Sequence, residues 1–316
     1  MKYAISVLLG AMSYGILSTI VVLSYGKGYD LGEVVGVQML TGFMLSWGLA
    51  VFMRLRDRRK TAAGRAKSAA VAGSDAKLIW KQRLLLMAAG MPTAVTGLLY
   101  YESLRYIPAS LAIILLFQFT WIGVLIQAVG ERKRPSGVMF ATLVVLFGGT
   151  LLASGIVEQG AGRLHVTGIV LGLLSAVSYS LFIWFSGKAM PGIRPAYRSV
   201  WMLAGGMTLV FILFPPEFLI NGKLWSELLL YGFMLGLFGA FIPPVLFAVG
   251  VPRIGEGMAG IIGAAELPVA VLASSLVLQE HVSLLQWAGV VLVLVGVALP
   301  ELAKRMSYGQ QRKRAA

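Results

Sequence analysis

Ten apolar runs, each near the length of roughly twenty residues that crosses a bilayer as a helix, leave this chain few folds to choose from. They are approximately Tyr3 to Ser24, Leu31 to Met53, Leu84 to Tyr106, Ala109 to Val129, Gly137 to Gly155, Val166 to Gly187, Ala196 to Phe214, Leu228 to Val249, Gly255 to Leu278 and Ser283 to Leu302. Lipid offers no partner to a bare N–H or C=O, so a spanning chain is either helical or a closed barrel, and runs of this length are helical. The expected class is all-α: a polytopic membrane protein of ten transmembrane helices. An even number of crossings puts both termini on one side.

The 27 lysines and arginines indicate which side that is. With the N-terminus inside, Lys2, every cation from Arg54 to Arg83, the cluster Arg132, Lys133 and Arg134, then Lys188, Arg194, Arg198, Arg253 and those of the tail all lie inside. Only Lys27, Arg105, Arg163 and Lys223 fall outside. Such a bias sets orientation by the positive-inside rule, so both termini are expected in the cytoplasm of a multi-pass protein of the inner or plasma membrane. It also makes a nucleic-acid partner unnecessary, although the net charge is +14. There is no cysteine and only two histidines, His165 and His281, so neither a thiolate nor a histidine metal cluster can be built, and no metal or cofactor is expected. An intramembrane hydrolase would want a serine turn with a partnering histidine. The nearest stretch, LLASG at Ser154, lacks both, so an enzyme is not expected.

The runs divide into two sets of five. LLGAMSY, from Leu8 to Tyr14, recurs as LLSAVSY from Leu173 to Tyr179, and GERKRPSG after the fourth run is answered by QEHVSLLQ after the ninth. Because the first run has a counterpart in the sixth, it is read as a helix and not as a cleaved signal peptide. Five crossings per half reverse the entry side of the second half, which predicts an inverted-topology repeat. The halves are residues 1–155, carrying a basic cytoplasmic loop at 54–83, and residues 156–302, followed by a basic tail at 303–316. The loop is read as a solvated insertion in the first half, or as an interfacial anchor through Leu78, Ile79 and Trp80.

Within the apolar runs, one carboxylate stands near the middle of its segment. Glu266 shares a helix face with Gly255, Ala259, Gly263, Ala270 and Ala273. An ionisable side chain at that depth faces a bundle interior or a water-filled cavity. Two readings stay open: a buried, protonated acid bonded to a neighbouring helix, or a group lining a transport path. Pro268 follows two residues on, and Pro92, Pro243 and Pro244 interrupt the third and eighth runs, marking candidate kinks or gates. Gln118 and Trp121 lie at the level of Glu266 when the halves are aligned, since Phe117 and Glu266 correspond. Tyr14 and Tyr179, with Ser13 and Ser178, are repeat-related and could face one cavity from both halves. Packing roles remain open for all of these.

The stretch AAELPVAVLASSLVLQEHVSLLQWAGVVLVLVGV, from Ala264 to Val297, resembles the Glu- and Pro-containing ninth helix and Gly-rich tenth helix of EamA-type proteins of the drug/metabolite transporter superfamily. YIPASLAIILLFQFTWIGVLIQAVGERKRPSG, from Tyr106 to Gly137, is similar to the matching part of the first half. Two departures stand out: Leu267 separates Glu from Pro, and Phe119 occupies a place where Pro is often seen. The resemblance implies a transporter moving small metabolites such as amino acids, as an exporter working by alternating access without a cofactor. Its partners would be a small-molecule substrate, the lipid bilayer and, as a coupling ion, protons. A lipid or lipid-linked sugar flippase, and a non-transporting sensor or scaffold, are the alternatives.

Overall fold

A computed structural model describes residues 2–62, 78–107, 109–132, 136–153, 165–190, 192–277, 279, 282–296 and 298–299. Glu280 and the tail lie outside the described residues, as do 63–77 of the basic loop and the side chain of Glu131. No strand occurs among those described. In chain order the helices are α1 (Lys2–Gly15), α2 (Leu17–Gly26), α3 (Leu31–Ala62), α4 (Trp80–Ser103), α5 (Ala109–Leu116), α6 (Phe119–Glu131) and α7 (Gly137–Ala153). Then follow α8 (Val166–Lys188), α9 (Pro195–Leu213), α10 (Glu227–Leu235), α11 (Ile242–Ile254), α12 (Glu256–Gly263), α13 (Glu266–Val277) and α14 (Leu284–Gly296).

By length and composition, seven helical stretches among the described residues can cross a membrane: Lys2–Gly26, Leu31–Arg56, Trp80–Ser103, Val166–Lys188, Pro195–Leu213, Glu227–Ile254 and Met258–Val277. Three shorter apolar helices, Phe119–Gly130, Gly137–Ala153 and Leu284–Gly296, occupy the fourth, fifth and tenth runs. The outside of the bundle is correspondingly apolar, with Phe140 and Ile212 69% and 73% exposed. Lipid is the natural solvent for such a surface. The protein is a polytopic α-helical membrane protein.

Three runs that read as continuous are broken. The first steps at Ile16, between α1 and α2; the fourth turns at Phe117–Gln118; the ninth turns at Ala264–Ala265. In the ninth, Pro268 has no N–H for the carbonyl of Ala264, and the Leu267 N–H takes that carbonyl instead at 3.2 Å, tightening the chain into a turn. Pro268 then sits in the first turn of α13, where a missing donor costs nothing. In the fourth, both the N–H and the hydroxyl of Thr120 donate to the Phe117 carbonyl, at 3.1 and 2.9 Å. The eighth run carries a π turn, Gly236–Phe241, just ahead of Pro243 and Pro244.

Helix packing is mostly between distant parts of the chain. α1 lies against α11, α12 and α13, while α8 lies against α4, α5 and α6. α3 packs on α10 and the π turn, α9 packs on α4, and α3 also meets α9. The α4–α9 crossing is close. A Cβ added at Gly90 would run into the backbone of Met202, and one added at Gly205 into the backbone of Met87. Glycine at both positions is what allows the two main chains to touch.

At the end of α3 away from Arg54, exposed ion pairs tie neighbouring segments: Lys27 to Glu227 at 2.9 Å, Lys223 to Glu33 at 2.5 Å, and Arg105 to Glu102 and Asp30 at 3.4 and 3.8 Å. The carboxylates beside Lys27 and Lys223 raise both ammonium groups above the ordinary lysine value. Solvent screening keeps each such pair weak.

Candidate functional site

The helix breaks and the π turn converge on a cavity of about 70 Å³ in the middle of the bundle. Glu266 opens α13 and lines this cavity, with its Oε2 buried and without a hydrogen-bond partner among the described residues. It is held there by Gly15. A Cβ at that position would lie 2.5 Å from the Glu266 carbonyl and 3.0 Å from the Ala270 nitrogen, so the end of α1 rests on the backbone that carries the acid.

An aromatic cluster contributes Tyr14, Tyr179 and Phe182 to the cavity wall. The rings of Tyr14 and Tyr179 meet edge to face at 5.6 Å and 89°, Tyr179 lies 4.5 Å from Phe119, and Phe182 stacks on Phe247 at 5.9 Å. Edge-to-face pairs are favoured because a ring's positive rim meets its neighbour's negative face. The Tyr179 hydroxyl is buried without a partner, whereas the Tyr101 hydroxyl donates to Gln38 Oε1 at 3.3 Å. α4 supplies a polar face. Thr93, Thr96, Gly97 and Tyr100 all line the cavity, and their spacing is that of one side of a helix. Apart from Glu266 the described lining holds no carboxylate, and it holds no lysine, arginine or histidine.

Of the residues singled out from sequence, Glu266, Tyr14 and Tyr179 are brought together here. Ser13 and Ser178 stand behind them. Ser178 donates to the Pro92 carbonyl at 2.8 Å and Ser13 to the Phe238 carbonyl at 2.7 Å. The second bond answers a local need: the Ile242 N–H reaches back to Leu237 across the π turn and Pro243 has no N–H, so Phe238 has no donor from the next turn of its own helix. Pro243 and Pro244 are buried at the start of α11, and Pro92 lies inside α4 just before Thr93. Gln118 and Trp121 do not line the cavity. The Trp121 indole N–H donates to Gln118 Oε1 at 2.6 Å, and the Trp121 side chain is on the outside of the bundle. Phe117, beside them, does line it.

Sequence reasoning passed over Thr93, Tyr100, Tyr101, Phe182 and Met39 as site residues. The signal for the α4 face was present in the positions 93, 96, 97 and 100 following Pro92. Met39 and Phe182 are ordinary apolar residues in apolar runs, and nothing in the sequence distinguishes them.

Comparison with known proteins agrees with this architecture. Residues 166–300 match the EamA-like transporter family. An uncharacterized transporter of Synechocystis sp. (strain ATCC 27184 / PCC 6803 / Kazusa) is 25% identical over 228 residues, which is 70% of this chain and 66%, just under two thirds, of that relative. One protein of known crystal structure shares the fold with a TM-score of 0.69 at 17% identity, over 95% of this chain and 98% of its own. The second part of the chain, residues 166–300, is thus similar to the EamA-like transporter family, within a chain that folds as a polytopic helical membrane bundle.

Proposed function

We propose that the protein exports small amine-bearing metabolites, amino acids among them, by alternating access, with Glu266 exchanging a proton for cargo. The observation that carries this reading is a buried Glu266 oxygen, without a partner among the described residues, in a small cavity lined by aromatic rings. A carboxyl at that depth needs either a proton or a cation. The rings of Tyr14, Tyr100 and Tyr179 can offer an ammonium group their faces as well. With no basic residue in the described lining, a cargo carboxylate would be received by neutral donors: the hydroxyls of Thr93 and Tyr179 and the amide of Gln38. At about 70 Å³ the cavity falls below the ~300–1,000 Å³ of a drug-sized site, so cargo requires the helices around it to part. Substrate, bilayer and proton are the partners in this scheme, and no cofactor enters it.

The motion follows from the architecture we infer, ten crossings in two inverted halves, 1–155 and 156–302. Its support is that packings come in exchanged pairs. Contact of α1 with α11 corresponds to that of α8 with α4, contact of α3 with the π turn to that of α9 with α4, and contact of α1 with α12 and α13 to that of α8 with α5 and α6. The repeat-related Tyr14 and Tyr179 touch, and the repeat-related Ser13 and Ser178 each bond a proline-bearing span. Rocking one half against the other would open the cavity first to one side and then to the other.

Transport assays test the cargo. Everted vesicles given an inward-acid pH difference are expected to accumulate radiolabelled amines or amino acids and to ignore neutral sugars and simple carboxylates. Accumulation of carboxylates without amines would overturn the reading, and lipid translocation without solute transport would favour a flippase. Orientation is tested separately, because the parent has no cysteine. A Ser226→Cys variant should label from outside intact cells, and a Ser68→Cys variant only after permeabilisation. The reverse pattern would invert the topology.

A further inference from the structure

A second cavity, of about 200 Å³, lies where the Arg54 end of α3 meets the starts of α4 and α9, and the central site makes no use of it. Arg54 and Arg83 both line it, together with Trp47, Trp201, Tyr197 and Leu78. The Arg83 guanidinium lies 5.1 Å from the centroid of the Trp201 ring, and its Nε is buried without a hydrogen-bond partner among the described residues. Among the described residues no acidic side chain lines the cavity, and neither arginine pairs with a carboxylate. A buried donor of a charged group left empty is unfavourable. Two guanidinium groups facing one cavity, with no counter-charge among the described residues, call for an anion.

The surroundings indicate which anion. Ala50 and Val51 extend the cavity wall with apolar surface, and Trp47 and Phe52 on α3 are 58% and 61% exposed on the lipid-facing side. Trp80, at the start of α4, is 64% exposed next to Lys81, the usual arrangement of an aromatic belt at headgroup level. The geometry points to a binding site for the phosphate headgroup of an anionic phospholipid. Arg54 and Arg83 hold the phosphate oxygens through their planar forks, Trp201 backs Arg83 from the protein side, and Trp47 and Val51 border the glycerol and upper acyl chains. A free phosphate ion would meet the same two arginines but leave the apolar border without an occupant. Basic pockets between helices at the membrane surface suit lipid headgroups for this reason.

The experiment is native mass spectrometry of the purified full-length protein in detergent, titrated with phosphatidylglycerol, phosphatidylcholine or inorganic phosphate. The parent is expected to retain one phosphatidylglycerol in preference to phosphatidylcholine. Arg54→Gln, at an exposed position, should bind it about fivefold more weakly and Arg54→Gln/Arg83→Gln about 30-fold more weakly. Arg132→Gln, which removes a cation elsewhere, should match the parent. Equal retention of phosphatidylcholine, or parent-like binding by Arg54→Gln, would overturn the site. Displacement of phosphatidylglycerol by equimolar inorganic phosphate would overturn its assignment to a lipid. None of these readouts depends on transport, so the result stands apart from the role given to Glu266.

Discussion

Glu266→Gln is expected to give a folded protein that transports roughly ten- to a hundredfold more slowly than the parent and with no dependence on pH. Glutamine keeps the shape of the side chain and most of its hydrogen-bonding capacity, so α13 and its contact with Gly15 should be preserved. What disappears is the charge. A hydrogen bond to a charged group is worth about 1.5–3 kcal/mol, which sets the expected loss when an ammonium group meets an amide instead of a carboxylate. Titration disappears with it. A proton can bias the exchange between access states only through a group that binds it differently in the two, and among the described residues no second carboxylate lines the cavity. Rates in everted vesicles, measured across a range of pH and normalised to the amount of protein inserted, check both parts. The same change at Glu102 or Glu217, away from the central cavity, should cost far less. A Glu266→Gln variant with the parent rate and the parent pH profile would reduce the acid to a packing residue and remove the coupling mechanism.

The second large effect is expected on stability. Gly90→Ala and Gly205→Ala each place a methyl group against the main chain of the opposite helix, where no side chain can rotate to make room. Overpacking of a tight interior costs about 1–3 kcal/mol, and here α4 and α9 must separate as rigid bodies, so the upper end applies. The apparent Tm in detergent should drop clearly for both. Gly48→Ala and Gly123→Ala are the controls, because a Cβ at either position meets nothing within 4 Å. If all four variants melt together with the parent, α4 and α9 do not approach as described.

How much of this could be read in the sequence follows from what each signal reports. Hydropathy measures what surrounds a residue, so the apolar runs announced the helical membrane class and located nearly every helix. It does not report whether the helix is continuous. Phe117 and Ala265 lie in apolar stretches as uniform as any other, and the turns at these points rest on which N–H reaches which carbonyl, a matter of geometry that composition cannot express. Pro268 was visible as a candidate kink or gate within one apolar run; in the structure it lies inside a new helix, two residues beyond Glu266. The ionisable residue was legible because charge in lipid is rare, and Tyr14 and Tyr179 were legible because the heptapeptide around them repeats. Trp121 and Gln118, read as level with Glu266, do not line the cavity, since the turn at Phe117–Gln118 resets the phase of the helix that follows. Arg198 drew no attention beyond its charge, yet it is 1% exposed and donates to the carbonyls of Ser186 and Ala248, tying α9 to α8 and α11.

Among the described residues lining the cavity there is one carboxylate, Glu266, and that fixes the electrical character of the proposed cycle. A single acid releases at most one proton per turnover. When the cargo is a monovalent amine, one positive charge moves each way, and the membrane potential, worth ~2.3 kcal/mol per charge per 100 mV, does no work. The pH difference then acts alone, at about 1.4 kcal/mol or a tenfold concentration ratio per unit. A zwitterionic amino acid carries no net charge, so the same swap brings one positive charge inward and the potential adds its full share. Voltage sensitivity of the flux would thus distinguish amines from amino acids as cargo, because the number of protons is held at one.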